Sequence, residues 1–284
     1  MKDHLGLSEA DMNNKETDKR ILPALSKRLQ TVAEMVPEGS IIADVGTDHG
    51  FVPIYLAWSG RIKHGIAMDV RKGPLERATE HVKEYGLEEM IETRLSDGLD
   101  KLSEGEADTM ICAGMGGPLM QKILEQKDPR SIKISTLILE PQSEIMHFRA
   151  FLRKKGYEIT QEEFLLEEGK YYPVIKALVR ENTDNGFDGL NLPKAYEDAI
   201  KKLEDRLKDS DKAITKEQLI RICDRFGPII LTSPNADFKS FLVHGKEVCD
   251  TILSKISNVK QSHEERFNQL SLEQSDINIA LHLF

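Results

Sequence analysis

The side chains best placed for chemistry sit in one turn. Asp44-Val45-Gly46-Thr47-Asp48-His49-Gly50 follows the apolar run Ser40-Ile41-Ile42-Ala43 and precedes a helix-like stretch from Phe51 to Trp58. Strand, glycine turn and helix in that order form the nucleotide-binding entry of an open α/β sheet. The turn departs from G-x-G-x-x-G, because Asp48 stands where the central glycine would be. A pyrophosphate wants glycine N–H groups and the positive end of a helix dipole. Asp44 and Asp48 repel it, but they suit a sulfonium and an α-ammonium group. The expected cofactor is therefore S-adenosylmethionine rather than NAD. Each aspartate also has a plainer role open to it, Asp44 as a turn cap and Asp48 as the helix N-cap.

Other unusual residues fall at corresponding places further on. Asp69-Val70 ends the next apolar run, about 20 residues beyond the turn, where an acid accepts hydrogen bonds from ribose hydroxyls. Asp97 and Gly98 follow a third run and are placed to meet an adenine ring, with Leu99 offering apolar contact. Ala113-Gly114-Met115-Gly116-Gly117-Pro118 follows a fourth. The expected donor-binding set is Asp44, Gly46, Asp48, Asp69, Val70, Asp97, Gly98, Ala113 and Gly114. The glycine-rich loop through Met115, Gly116 and Gly117 lets a flat base approach the backbone, or simply makes a tight turn. It lacks the [DNS]-P-P-[YF] pattern of exocyclic amino-group methyltransferases, which disfavours that acceptor. His49 beside Asp48 is a candidate base or orienter. Lys27 and Arg28, with Lys19 and Arg20, form a local basic cluster suited to phosphates or to a solvated helix face.

The elements that must carry these residues alternate. Ser26 caps an amphipathic helix with Leu29, Val32, Ala33 and Val36 on one face. Strands are expected at 40–43, 65–70, 90–95, 108–113 and 136–139, with helices after the first, second, fourth and fifth, which means βαβ units and a parallel sheet. Two β-rich stretches, 157–166 and 172–179, are joined by Glu168-Gly169-Lys170 as a closing hairpin, one strand of which runs antiparallel in the sheet. A doubly wound, mostly parallel sheet with such a hairpin is the outline of a Rossmann-like class I methyltransferase. Asn182-Thr183-Asp184-Asn185-Gly186 is a polar break. Beyond it the chain reads as all helix: one at 194–207, one opened by Thr215, one from Ser233-Pro234, and a last one opened by a capping box at Ser262. The last two are expected to form an antiparallel hairpin. The division expected is an arm over 1–20, a methyltransferase domain over 21–183 and a coiled-coil-like helical domain over 187–284.

The totals bound the partners. The chain has 284 residues, enough for two ordinary domains, and a net charge of −9. That counts against indiscriminate nucleic-acid binding, so an RNA partner must be gripped locally. Its three cysteines, Cys112, Cys223 and Cys249, are unpaired in spacing and read as small buried hydrophobes. No metal site, membrane span or signal peptide is expected, and the expected location is the cytoplasm.

The chain resembles the bacterial tRNA (adenine-22 N1)-methyltransferases, the TrmK family. The resemblance rests on Leu25-Ser26-Lys27-Arg28-Leu29, Ala43-Asp44-Val45-Gly46-Thr47-Asp48-His49, Gly105-Glu106-Ala107-Asp108, Ala113-Gly114-Met115-Gly116-Gly117 and Leu137-Ile138-Leu139-Glu140-Pro141-Gln142. It covers about Ile21 to Val259. It implies methyl transfer from S-adenosylmethionine to adenine N1 in tRNA, with a coiled-coil C-terminal domain. On that reading Asp48 and His49 are the catalytic pair, and Lys27, Arg28, Met115, Gly116, Gly117 and Gln142 meet the tRNA. A monomer is expected. A small-molecule methyltransferase and a non-catalytic tRNA-binding protein with a vestigial pocket are the alternatives.

Overall fold

The computed structural model describes residues 24–180, 192–208, 214–256 and 264–284. The expected arm with Lys19 and Arg20, the polar break near 182–186 and the Ser262 capping box lie outside them. The helix α1 (Lys27–Glu34) opens on Ser26, whose Oγ accepts the Leu29 N–H at 3.4 Å. It is followed by β1 (Ser40–Val45), α2 (Phe51–Trp58), β2 (Ile62–Asp69), α3 (Lys72–Glu84), β3 (Ile91–Leu95), β4 (Thr109–Met115), α4 (Gly117–Gln126), β5 (Thr136–Pro141) and α5 (Ile145–Lys154). The hairpin is β6 (Tyr157–Glu167) and β7 (Lys170–Val179).

The seven strands lie in the order β3-β2-β1-β4-β5-β7-β6. The first five are parallel, and β7 runs antiparallel to β5. Strand order reverses between β1 and β4, so the ligand crevice of a doubly wound sheet opens at their carboxyl ends. Every residue of β5 is buried, as expected of a central strand covered on both faces. One apolar cluster around Met68, Met110, Leu139 and Phe148 covers one face, and another around Ile42, Ile54, Ile111 and Ile138 covers the other.

β4 does not end at Ala113. It continues through an irregularity at Gly114, where φ is +80°, and Met115 pairs with Pro141. The extra residue turns Met115 back over the crevice.

The tail comprises α6 (Lys194–Leu207), α7 (Lys216–Phe226), α8 (Pro228–Thr232), α9 (Ala236–Ile256) and α10 (Glu264–Leu281). Thr215 caps α7 by accepting the Gln218 N–H, as expected. α9 starts at Ala236 rather than at Ser233-Pro234, and Asn235 caps it by accepting the Phe238 N–H at 2.8 Å. Contacts of Asp250 with Gln274, Gly245 with Ile277 and Phe238 with Phe284 show that α9 and α10 run antiparallel.

The tail is locked to the sheet domain. Phe164 of β6 packs on Phe238 and Phe241. Arg149 of α5 is 2.7 Å from Glu162, Arg153 is 2.8 Å from Asp224 of α7, and the Tyr196 hydroxyl donates to Asp224 at 2.7 Å. All five groups are buried. Gly227 has φ +96°, and a Cβ there would lie 2.6 Å from Glu162 Oε2. The tail thus covers charges that the sheet domain alone would leave stranded. All three cysteines are free and buried. Among the described residues, no helix is long and apolar enough to cross a membrane, and no His, Cys, Asp and Glu group is arranged to hold a metal.

Candidate active site

The carboxyl ends of β1, β2, β3 and β4 surround a cavity of ≈ 520 Å³. That is ample for a nucleoside-sized ligand. The turn after β1 is pinned to β2, since Gly46 and Thr47 both donate their N–H to Met68 O, at 2.8 and 2.9 Å. Gly46, Asp48 and Gly50 have φ of +78°, +50° and +72°. Two of these left-handed positions carry glycine, for which they are free. Asp48 is the exception, holding an unfavourable backbone at the cavity mouth.

All nine residues expected to hold the donor line this cavity, and so do Asp48 and His49 of the expected catalytic pair. Asp44 is buried at its foot, 6% exposed, with no cation paired to it among the described residues. Burial pushes its carboxyl up to about 6; the Thr47 hydroxyl pulls it down and the Asp69 charge adds to the rise. A buried acid without a counter-ion fits a ligand that brings an ammonium group. Asp69, equally buried, accepts the Arg71 N–H at 2.8 Å through one oxygen, which leaves the other for hydroxyls. Ser96 Oγ donates to Gly98 O at 3.0 Å and accepts the Lys101 N–H, fixing the turn after β3. The residues present therefore fit S-adenosylmethionine.

Asp48 is not the N-cap of α2; Gly50 holds that place, without a side-chain bond. The Asp48 carboxylate reaches outward, 52% exposed, where Arg77 Nη2 donates to it at 3.0 Å and His49 Nε2 lies 3.5 Å away. Arg77 offsets its charge, so the uncompensated acid is Asp44. The His49 ring stacks at 5.4 Å on Phe51 and 5.7 Å from His81. His81 is fixed in turn by a 2.9 Å hydrogen bond between its Nδ1 and His49 O.

The residues expected to meet tRNA divide. Arg28, Met115 and Gln142 line the cavity, whereas Lys27, Gly116 and Gly117 do not. Lys27 turns to Asp237 of α9, 3.6 Å away. A Cβ at Gly116 or Gly117 would lie 2.7 Å from Ser143 Oγ or Ser143 O, so these glycines make room for the backbone behind α4. Arg28 is not part of a solvated basic face; it is paired with Glu140 at 2.7 Å. Leu99 offers no contact to a ligand. It is 1% exposed in the core, and Val70, Leu119 and Ile123 supply the apolar wall instead.

Sequence reasoning gave no role to Glu140, Phe51, Arg71, Arg77 or His81. Glu140 carried a signal, as a lone acid closing the apolar run Leu137-Ile138-Leu139. The others are ordinary helix or loop residues whose partners are distant in sequence.

Residues 25–175 match a family described as a methyltransferase domain. The tRNA (adenine(22)-N(1))-methyltransferase of Bacillus subtilis is 39% identical over 168 residues, 59% of this chain and 70% of that protein. The crystal structure of the B. subtilis m1A22 tRNA methyltransferase TrmK aligns with TM-score 0.70 and 28% identity, covering 91% of this chain and 99% of that one. TrmK of M. capricolum, solved with S-adenosyl-homocysteine, aligns with TM-score 0.68 and 25% identity over 90% of this chain and 99% of that one. Sheet order, cavity and motifs agree with these similarities: the chain belongs to the methyltransferase-domain family and, within it, to the bacterial tRNA (adenine-22 N1)-methyltransferases.

Proposed function

We propose that the protein transfers a methyl group from S-adenosylmethionine to N1 of adenine-22 in the D-arm of tRNA. The observation that carries this is Asp44, a buried acid without a counter-ion, at the foot of a cavity rimmed by Asp69 and Asp97 in a chain of this family. The cofactor, when bound, supplies an electrophilic sulfonium methyl. Asp44 holds its α-ammonium, Asp69 its ribose hydroxyls, and Asp97 with Gly98 its adenine. Gly46, Val70, Ala113 and Gly114 shape the remaining walls.

Adenine N1 has a free lone pair, so no strong base is needed to expose it. Its attack forms the N1–C bond as the C–S pair returns to sulfur, and the positive charge passes to the adenine. Asp48 at the mouth accepts an N6 proton through Oδ2, the oxygen that Arg77 does not hold, with His49 beside it. N1 lies on the pairing edge, so the target base must leave its stack. Met115 and Gln142 form the acceptor side, and the exposed faces of Phe51 and His49 offer a stacking surface. The same reading places the enzyme in the cytoplasm as a monomer that needs no metal, with a methyltransferase domain over 21–183 and a helical domain over 187–284.

Asp48→Ala tests the assignment of roles. It should lower turnover by roughly 10²-fold or more while leaving tRNA and S-adenosyl-homocysteine affinity in place. Unchanged turnover would remove Asp48 from the reaction. Methylation of a small acceptor in the absence of tRNA would instead favour a small-molecule enzyme.

A further inference from the structure

Three aromatic rings meet at the mouth of the cavity. His49 and Phe51 line it, whereas His81 of α3 does not. The rings are parallel to within 22°, with centroids 5.4 Å apart for His49 and Phe51, 4.9 Å for Phe51 and His81 and 5.7 Å for His49 and His81. Three nearly equal spacings make a triangle, since a column would set its outer rings about twice as far apart as its neighbours. The rings therefore form a slab broader than one base. It is open to solvent, with Phe51 37% exposed and the His49 side chain 39% exposed.

α3 holds the slab from outside the cavity. Arg77 and His81 are four residues apart, on one face of the helix. That face meets the turn after β1: a Cβ at Gly50 would lie 3.3 Å from Ala78 Cβ. His81 Nδ1 is bonded to His49 O at 2.9 Å, and since a carbonyl only accepts, Nδ1 carries the proton. Arg77 Nη2 donates to Asp48 at 3.0 Å, offsetting a charge that would repel a nucleic-acid backbone. Near-parallel rings open to solvent suit another flat ring, and unstacked bases seat on such side chains. The donor's adenine does not supply that ring, since it belongs at Asp97 and Gly98, after β3. The target adenine reaches the inner rings, His49 and Phe51. His81 is left beyond the cavity wall, and a base flipped out for reaction leaves its neighbours with an uncovered face.

We propose that His81, together with Phe51, is a stacking subsite for the nucleotide next to the methylated adenine. This rests on tRNA being the acceptor. Steady-state kinetics of the full chain on unmodified tRNA test it. His81→Asn keeps an N–H where Nδ1 donates but has no ring, so it separates stacking from the hold on His49. It should raise KM for tRNA roughly five- to a hundredfold, with little change in kcat or in S-adenosyl-homocysteine affinity. His81→Phe keeps a ring and loses the donor, and should use tRNA as the native chain does. A tRNA made abasic at one of the two positions flanking the target should lose with the native chain the factor that His81→Asn loses, and lose nothing further with that variant. A native-like KM in His81→Asn, or a His81→Phe variant as impaired as His81→Asn, overturns the subsite. So do abasic losses that multiply with that of His81→Asn at both flanks. If the native chain does not methylate tRNA, the functional reading fails and this inference with it; a native chain that methylates tRNA while His81→Asn is unimpaired sinks the subsite alone.

Discussion

Replacing Asp44 by Asn should make the donor-free protein more stable and a worse binder. Asp44 titrates near 3.8 when solvated and at about 6 in the fold, chiefly because it is buried. At ~1.4 kcal/mol per pH unit, the ionised form costs the fold about 3 kcal/mol. The sign follows from proton uptake. The folded state holds this proton more tightly than the unfolded state, so there is no penalty below the unfolded value. The penalty grows as pH rises from about 4 to about 6 and is complete above that. Urea unfolding should therefore show Asp44→Asn stabilised by up to about 3 kcal/mol at pH 7, with the gain vanishing below pH 4. Binding runs the other way. The ionised carboxylate holds the ligand ammonium, and one unit below its folded value only about a tenth of it is ionised. Native affinity for S-adenosyl-homocysteine should fall about tenfold from pH 7 to pH 5. The Asn variant should bind weakly with little such slope. An Asn variant no more stable than native at pH 7, or a native affinity flat across this range, would mean that Asp44 is not the ionised holder of the ammonium.

Other expectations follow from the packing. Arg149→Ala leaves Glu162 buried without its counter-charge, so chemical denaturation should show a loss of about 3–5 kcal/mol; a loss near zero would mean that the tail interface is not closed. Gly98 has φ +54°, and a Cβ there would lie 3.0 Å from Ile123 Cγ2. Gly98→Ala should cost about 1–2 kcal/mol and weaken S-adenosyl-homocysteine binding, as melting and calorimetry would show.

The sheet domain was legible because its signals are local and repeat. Apolar runs with an acid or glycine at their ends recur in chain order, and the parallel topology brings those ends to one crevice. What escaped depended on direction or on distant partners. Lys27 and Arg28 read as one basic cluster, but neighbours on a helix point about 100° apart. One reaches Asp237 and the other Glu140, 112 residues away. Leu99 read as a ligand contact, but the left-handed Gly98 before it turns the chain inward. Asp48 read as a possible helix cap, and only the fold brings Arg77 to it. The polar break read as a domain boundary hides how firmly the two parts are joined. The charges that join them, Arg149, Arg153, Glu162 and Asp224, look like surface residues in the sequence and are buried in the fold.

The defining product of the proposed enzyme is a methyl group on N1 of one adenine. Unmodified tRNA incubated with the full chain and isotopically labelled S-adenosylmethionine, then digested and mapped by mass spectrometry, reads it directly. Label should appear in 1-methyladenine at position 22. Label at N6, label at another position, or no transfer above background would contradict it.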